Sequence, residues 1–236
     1  MRRSVCIALA CAAVALGACG DDEDKASSED TGSTPPSATS EPTPTTEAAP
    51  PGGDCEQVDA PTPEERKGRK PTEPLDAGKT YRLVFATSCG EFTVTLDLKT
   101  GPKTSASLVA LAEAGYFDDT AFHRIAPGFV VQGGDPSGTG SGGPGYSTRD
   151  VPRAGTRYTK GVVAMAKTGD EAPGTAGSQF FVVTGDEATF PSADYAVVGK
   201  VTNGLDVVER IGELGGPDER PLQPVVIEKV TVEESG

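Results

Sequence analysis

Arg124, Phe129, Val130 and Gln132 fall within nine residues of one another in the segment Phe122-His123-Arg124-Ile125-Ala126-Pro127-Gly128-Phe129-Val130-Val131-Gln132-Gly133-Gly134-Asp135. A guanidinium, a carboxamide and apolar side chains suit a reaction in which no covalent bond is made or broken. Rotation about a peptide bond is such a reaction. Amide resonance sets its barrier at about 18–20 kcal/mol, and uncatalysed X-Pro isomerisation takes about 10–100 s. Twisting the bond leaves a lone pair on the prolyl nitrogen, so a donor fixed at that atom binds the twisted form better than either planar form. A guanidinium is always charged and planar, and apolar walls exclude water and strengthen its bond. Taken one at a time, these residues have plainer readings: Phe129 and Phe181 as core, Arg124 as a surface ion-pair residue.

Other chemistries fit less well. His123 is the sole histidine, and amide rotation needs no proton transfer, so it reads as a packed residue. Ser178 could suggest a nucleophile, but no Gly-x-Ser-x-Gly elbow surrounds it. The glycines from Gly138 to Gly145 lack the following Gly-Lys-Ser/Thr of a phosphate-binding loop. No His and Cys pair has metal-ligand spacing, so neither a metal nor a cofactor is expected.

Short apolar or alternating runs must position these side chains: Tyr81 to Ala86, Glu91 to Leu98, Phe122 to Ile125, Phe129 to Gln132, Val162 to Ala166, Phe180 to Val183, Ala196 to Val201 and Val225 to Val232. Helical spacing replaces that rhythm at Leu108, Leu111 and Ala112 and again at Leu205, Val208 and Ile211. The expectation is a mostly β fold, a closed eight-stranded antiparallel barrel capped by two α-helices, within residues 75–236.

The Phe122 to Asp135 segment closely resembles the cyclophilin signature. Gly161 to Lys167 with Gly177 to Val182, and Tyr195 to Val201, resemble further core strands of that family, in matching order from about Tyr81 to Val232. The resemblance implies a peptidyl-prolyl cis/trans isomerase. It makes Arg124 the catalytic donor, with Phe129, Val130 and Phe181 the floor and walls of a proline pocket. Gln132 would position Arg124 and the substrate carbonyl, while Ala166 and Lys167 would present backbone beside Gln179. Phe190, Pro191 and Tyr195 would complete the rim. Lys167 stands where the family usually has Asn, Phe190 where many eukaryotic members have Trp, and Tyr195 where His is frequent; the loss of the indole donor implies weak cyclosporin binding. A rival reading keeps the groove but makes the chain a non-catalytic peptide-binding or holdase lipoprotein. Retention of the guanidinium argues for the enzyme.

The chain opens with Arg2-Arg3, an uncharged run from Ser4 to Gly20, and Leu16-Gly17-Ala18-Cys19. The run is shorter than the ~20 residues that span a bilayer. Small residues ahead of a Cys resemble the lipobox of bacterial lipoproteins, so residues 1–18 are read as a signal peptide and Cys19 as the lipidated residue. Residues 19–54 are read as a tether: from Gly20 to Asp54 there is no Val, Ile, Leu, Met, Phe, Tyr or Trp, and nothing to offset the entropy of ordering. Its 35 residues would span about 30 Å as a coil and about 110 Å as polyproline II. Nine acids against one base in that stretch, within a chain of net charge −14, argue against nucleic-acid binding. With Cys19 committed to lipid, Cys55 and Cys89 remain in a non-cytosolic compartment, where a disulfide between them is expected. Residues 55–74 then form an arm. The whole is expected to be extracytoplasmic, membrane-anchored, monomeric, and partnered by proline-containing peptides and unfolded exported proteins.

Overall fold

The computed structural model describes residues 55–236; the expected signal peptide, the expected lipidation site Cys19 and the expected tether lie outside them. In chain order the elements are β1 (Thr80–Thr87), β2 (Gly90–Leu96), α1 (Pro102–Glu113), β3 (Thr120–Ala121), β4 (Arg124–Ala126), β5 (Val130–Gly133), β6 (Thr148–Arg149), β7 (Tyr158–Thr159), β8 (Val162–Met165), β9 (Thr175–Ala176), β10 (Phe180–Val183), β11 (Glu187–Ala188), β12 (Val197–Asn203), α2 (Leu205–Gly212) and β13 (Val226–Ser235).

Nine strands pair antiparallel in the order β3-β13-β1-β2-β12-β8-β10-β5-β4. The sheet curls into an open half-barrel, which corrects the expectation of a closed eight-stranded one. The physical reason lies in the segment from Phe122 to Ile125, expected as one strand. Thr120 and Ala121 pair with β13, whereas Arg124 to Ala126 pair with β5. On its other edge β4 meets no strand among the described residues: the Ile125 N–H donates to the Glu219 carbonyl at 2.8 Å. The two-stranded ribbons β6–β9 and β7–β11 were not expected, because two-residue strands are too short to show an alternating pattern.

Alternation dictates the core. Tyr81, Leu83 and Phe85 point inward from β1, and β10 contributes Phe180 and Val182 to the same interior. Phe180 lies at the centre of an aromatic group, with ring centroids 5.3 Å from Phe85, 6.2 Å from Phe117 and 6.3 Å from Phe122. Helix α1 packs on β13, β12 and β6, and α2 on β2, β4 and β5. The helices bury Leu108, Leu111 and Ala112, and Val207, Val208 and Ile211, respectively. Proline at the start of α1 costs no hydrogen bond, and the Asp150 carboxylate accepts from the Thr104 N–H at 2.7 Å and its hydroxyl at 2.8 Å.

Cys55 and Cys89 are joined by a disulfide, at the tip of the β1–β2 hairpin. The arm that follows Cys55 has no regular structure but is tied down along its length. Arg66 Nη1 donates to the carbonyls of Tyr116 at 3.0 Å and Asp118 at 2.6 Å, beyond the C-terminus of α1. Gly68 N–H bonds the Pro144 carbonyl at 2.9 Å, and Lys70 Nζ the Ser147 carbonyl at 2.8 Å.

Because Phe180 is nearly inaccessible to solvent and its neighbouring rings come from β1, the turn after α1 and the residue after β3, truncation leaves a cavity the core cannot close. Phe180→Ala is expected to lower the unfolding free energy by about 3–5 kcal/mol, measured by urea denaturation.

Candidate active site

The same alternation that fills the barrel lays a second set of side chains on the outer face of the sheet. Arg124 and Ala126 of β4, Val130 and Gln132 of β5, Phe181 and Val183 of β10 and Ala164 of β8 share that face, opposite Ile125, Val131, Phe180 and Val163. Register places Arg124 opposite Gln132, Gln132 opposite Phe181, and Phe181 opposite Ala164. Four strands thus set a cation, an amide, an aromatic ring and a methyl group in one row.

Apolar groups outside the barrel form a second cluster: Ala126, Val130, Tyr158, Ala164, Phe181, Val183 and Ala188, with Phe129, Ala166, Phe190 and Tyr195 packed against it. Phe129 sits on the turn between β4 and β5. Its N–H bonds the Ala126 carbonyl at 3.0 Å, and its own carbonyl accepts from the Thr184 N–H at 3.0 Å, tying the turn to the end of β10. Phe190 packs 5.5 Å from Phe129, 5.7 Å from Phe181 and 4.6 Å from Tyr195. Pro191 is exposed beside it. Phe129 and Phe190 remain only half-buried, so the cluster has an open mouth. Ala166 continues β8, its N–H bonding the Gln179 carbonyl at 2.9 Å. Lys167 lies 5.6 Å from the Tyr195 ring centroid. Every residue expected to bind substrate therefore lies on this face or its rim.

A chain of hydrogen bonds fixes the polar half. Arg124 Nη1 donates to Gln132 Oε1 at 3.3 Å. That orientation turns the Gln132 NH2 toward Gln179 Oε1 at 3.1 Å and His123 Nε2 at 3.4 Å. Gln179 in turn donates to the Gly142 carbonyl at 3.0 Å. The glycine loop is held by the Asp135 carboxylate, which accepts from the Gly140 N–H at 2.7 Å, the Gly142 N–H at 3.0 Å, and the Ser137 N–H and hydroxyl at 2.8 and 2.7 Å. A Cβ on Gly142 would collide with that carboxylate, so a side chain has no room there. Burial alone would raise the Asp135 pKa; the Ser137 hydroxyl and the Gly142, Ser137 and Gly140 N–H groups outweigh it and lower the pKa below 3.8.

Three contributors escaped the sequence reading. Tyr158, in a stretch without periodicity, clamps the rim: its hydroxyl donates to the Tyr195 carbonyl at 2.9 Å and accepts from the Tyr195 N–H at 3.0 Å. Glu219 accepts from Arg124 Nε at 2.6 Å across 95 residues of sequence. Lys67 of the arm lines a cavity of about 580 Å³ beside the groove, shared with Gln132, Ala166, Lys167 and Gln179. Only Tyr158 carried a local signal, as an aromatic in a polar stretch. Ser178 is fully buried and its hydroxyl donates to the Gly134 carbonyl at 2.7 Å, which leaves it no role as a nucleophile.

The profile of the Cyclophilin type peptidyl-prolyl cis-trans isomerase/CLD family matches residues 82–232. The chain belongs to this family, and it is a peptidyl-prolyl cis-trans isomerase. It is 40% identical over 161 residues to the peptidyl-prolyl cis-trans isomerase-like 1 of Aspergillus fumigatus, covering 65% of this chain and 96% of that protein. The Aspergillus oryzae counterpart is 41% identical over 162 residues, with the same coverage. Among solved structures, a cyclophilin type peptidyl-prolyl cis-trans isomerase of Cryptosporidium parvum superposes with a TM-score of 0.58 at 26% identity, over 66% of this chain and 99% of that one. The same protein in the presence of the dipeptide Ala-Pro gives a TM-score of 0.54.

His123 accepts the Gln132 amide only when neutral. Burial lowers its pKa below 6.5, against the opposing pull of Asp135 and the Gln179 amide. The unfolded imidazole therefore takes a proton that the folded ring refuses, so this stability is complete above pH 6.5 and is lost as pH falls toward the folded pKa. The Asp135 contribution is present above 3.8 and is lost as pH falls below that value. Thermal melts are expected to decline in these two windows, and His123→Asn is expected to flatten only the upper one.

Proposed function

We propose that this isomerase acts on X-Pro bonds of exported proteins by binding the twisted amide non-covalently across β4, β5, β10 and β8. The observation that carries the reading is the row Arg124–Gln132–Phe181, a guanidinium hydrogen-bonded by a carboxamide at the edge of an aromatic-floored pocket. Phe129, Val130 and Phe181 would hold the proline ring, with Phe190, Pro191 and Tyr195 at the rim. Ala166 and Lys167 would offer backbone to the residue before proline, beside Gln179. The Lys167 ammonium is turned to the carbonyls of Thr168 and Glu171, both at 3.1 Å, so its side chain leaves that backbone role open. Arg124 would donate to the prolyl nitrogen as its lone pair localises, and Gln132 would steady both Arg124 and the substrate carbonyl.

Because that bond strengthens only as the amide twists, its loss belongs in kcat rather than in binding. Arg124→Ala is expected to lower turnover of a short X-Pro peptide roughly 100- to 1,000-fold, about 2.7–4 kcal/mol of barrier, with peptide affinity and melting temperature little changed. NMR exchange and a peptide titration measure both. Turnover within about threefold of wild type, well short of the ~10²-fold worth of such a donor, would remove Arg124 from the mechanism; wild-type binding without any turnover in the native protein would favour the peptide-binding alternative.

We further propose that the domain works outside the cytosol on a lipid tether. Leu16-Gly17-Ala18-Cys19 followed by an unfoldable acidic stretch supports this, as does the Cys55–Cys89 disulfide, a bond typical of oxidising compartments. The native protein is expected to partition with membranes and to carry diacylglycerol on an N-terminal Cys19. An intact mass starting at Met1 with an unmodified thiol would exclude the anchor.

A further inference from the structure

We infer that Glu219 is a positioning residue for isomerisation, acting through Arg124; the inference rests on the role proposed for that arginine. The Arg124 guanidinium carries five N–H donors. Its bond to Gln132 is long, at 3.3 Å, and by itself leaves the plane free to swing about it. The carboxylate of Glu219 takes Nε at 2.6 Å, a charge-assisted bond to a different nitrogen of the group. Two anchors on different nitrogens define the plane, and the hydrogens on Nη2 and the second on Nη1 are left for a substrate.

Glu219 is itself held by the fold. Its carbonyl accepts from the Ile125 N–H at 2.8 Å, the residue next to Arg124, and its own N–H donates to the Gly216 carbonyl at 2.9 Å. Gly215 lets this loop lie against β4, because a Cβ there would collide with the Ile125 carbonyl. Glu219 adopts a left-handed backbone with φ +62°, one of only two non-glycine residues to do so among those described. An exposed position of that conformation favours glycine, and strain kept at a residue that grips a site arginine points to function rather than folding. Stability gives no competing reason to keep the pair. The two side chains retain 34% and 48% of their exposure, and pairs in that setting contribute little.

The electrostatic cost runs the other way: a carboxylate at Nε draws on the positive charge that the prolyl nitrogen would feel. The gain is in direction, and misplacement of a reacting group by about 1 Å can cost about 10²-fold in rate. Gln at this position would keep an acceptor without the charge, whereas Gly would remove the acceptor and relieve the backbone. Glu219→Gly is therefore a variant in which the structural and positioning roles predict opposite results.

The test measures turnover, peptide affinity and melting temperature for wild type, Glu219→Gly, Glu219→Gln, Arg124→Ala and the Arg124→Ala/Glu219→Gly pair. Turnover is expected to fall roughly tenfold in Glu219→Gly and to be largely restored in Glu219→Gln. Peptide affinity should stay within about twofold and the melting temperature should not fall, since relief of the left-handed strain offsets the added chain entropy. In the Arg124→Ala background Glu219→Gly should change nothing. Wild-type turnover in Glu219→Gly, or an equal loss on the Arg124→Ala background, would overturn the positioning role. An inactive Arg124→Ala beside a fully active Glu219→Gly would remove Glu219 alone. An active Arg124→Ala would instead remove the reading on which this inference stands.

Discussion

The pleat of β5 and β10 is the constraint on which the rest depends. Side chains of a strand point alternately to its two faces, so Phe180 and Val182 enter the barrel while Phe181 and Val183 leave it, and Val131 and Gly133 oppose Val130 and Gln132. The fold and the site are written on alternate residues of the same strands. A one-residue slip of register would exchange them, burying Gln132 and exposing Phe180. The core that keeps Phe180 among Phe85, Phe117 and Phe122 therefore also keeps Phe181 opposite Gln132.

Apolar groups on the outer face are a liability for a solvated sheet, and the way they are covered shapes the groove. The segment after β10 returns over the sheet, placing Phe190 on Phe129 and Phe181 and Tyr195 on Phe190. Tyr158 locks that segment through both backbone groups of Tyr195. The cover is incomplete where Phe129 and Phe190 stay half-exposed, which leaves an apolar gap on the outer face of the sheet. Rigid walls suit the role proposed for this groove, in which one side of a bond is held still while the other turns.

The polar half is organised from the outside inward. Asp135 gathers the glycine loop, the loop's Gly142 carbonyl takes Gln179, Gln179 takes Gln132, and Gln132 takes Arg124. The arm pinned by the disulfide lies against the same loop through Gly68 and Pro144. Networks of this kind are worth most when every member is satisfied; a neutral His123 completes the Gln132 amide through Nε2, while its buried Nδ1 has no partner.

Much of this was legible in the residues. Alternation located the main strands, helical spacing located α1 and α2, and the Phe122 to Asp135 segment with Phe181 and Gln179 contained most of the groove, because local patterns report which face a side chain takes. Only the tertiary structure decided the rest. Whether the sheet closes depended on what meets the free edge of β4, and the answer, the Glu219 carbonyl, lies 94 residues from Ile125 and carries no periodic signal. Glu219 at Arg124, Tyr158 beneath Tyr195 and Lys67 beside the groove are brought in by a loop, the two-residue strand β7 and the arm, respectively. Their partners are distant in sequence, and a charged residue in such a segment reads the same whether it faces solvent or the site. Local sequence fixes the direction in which a side chain points along its own strand; what it meets there is set by how the chain returns.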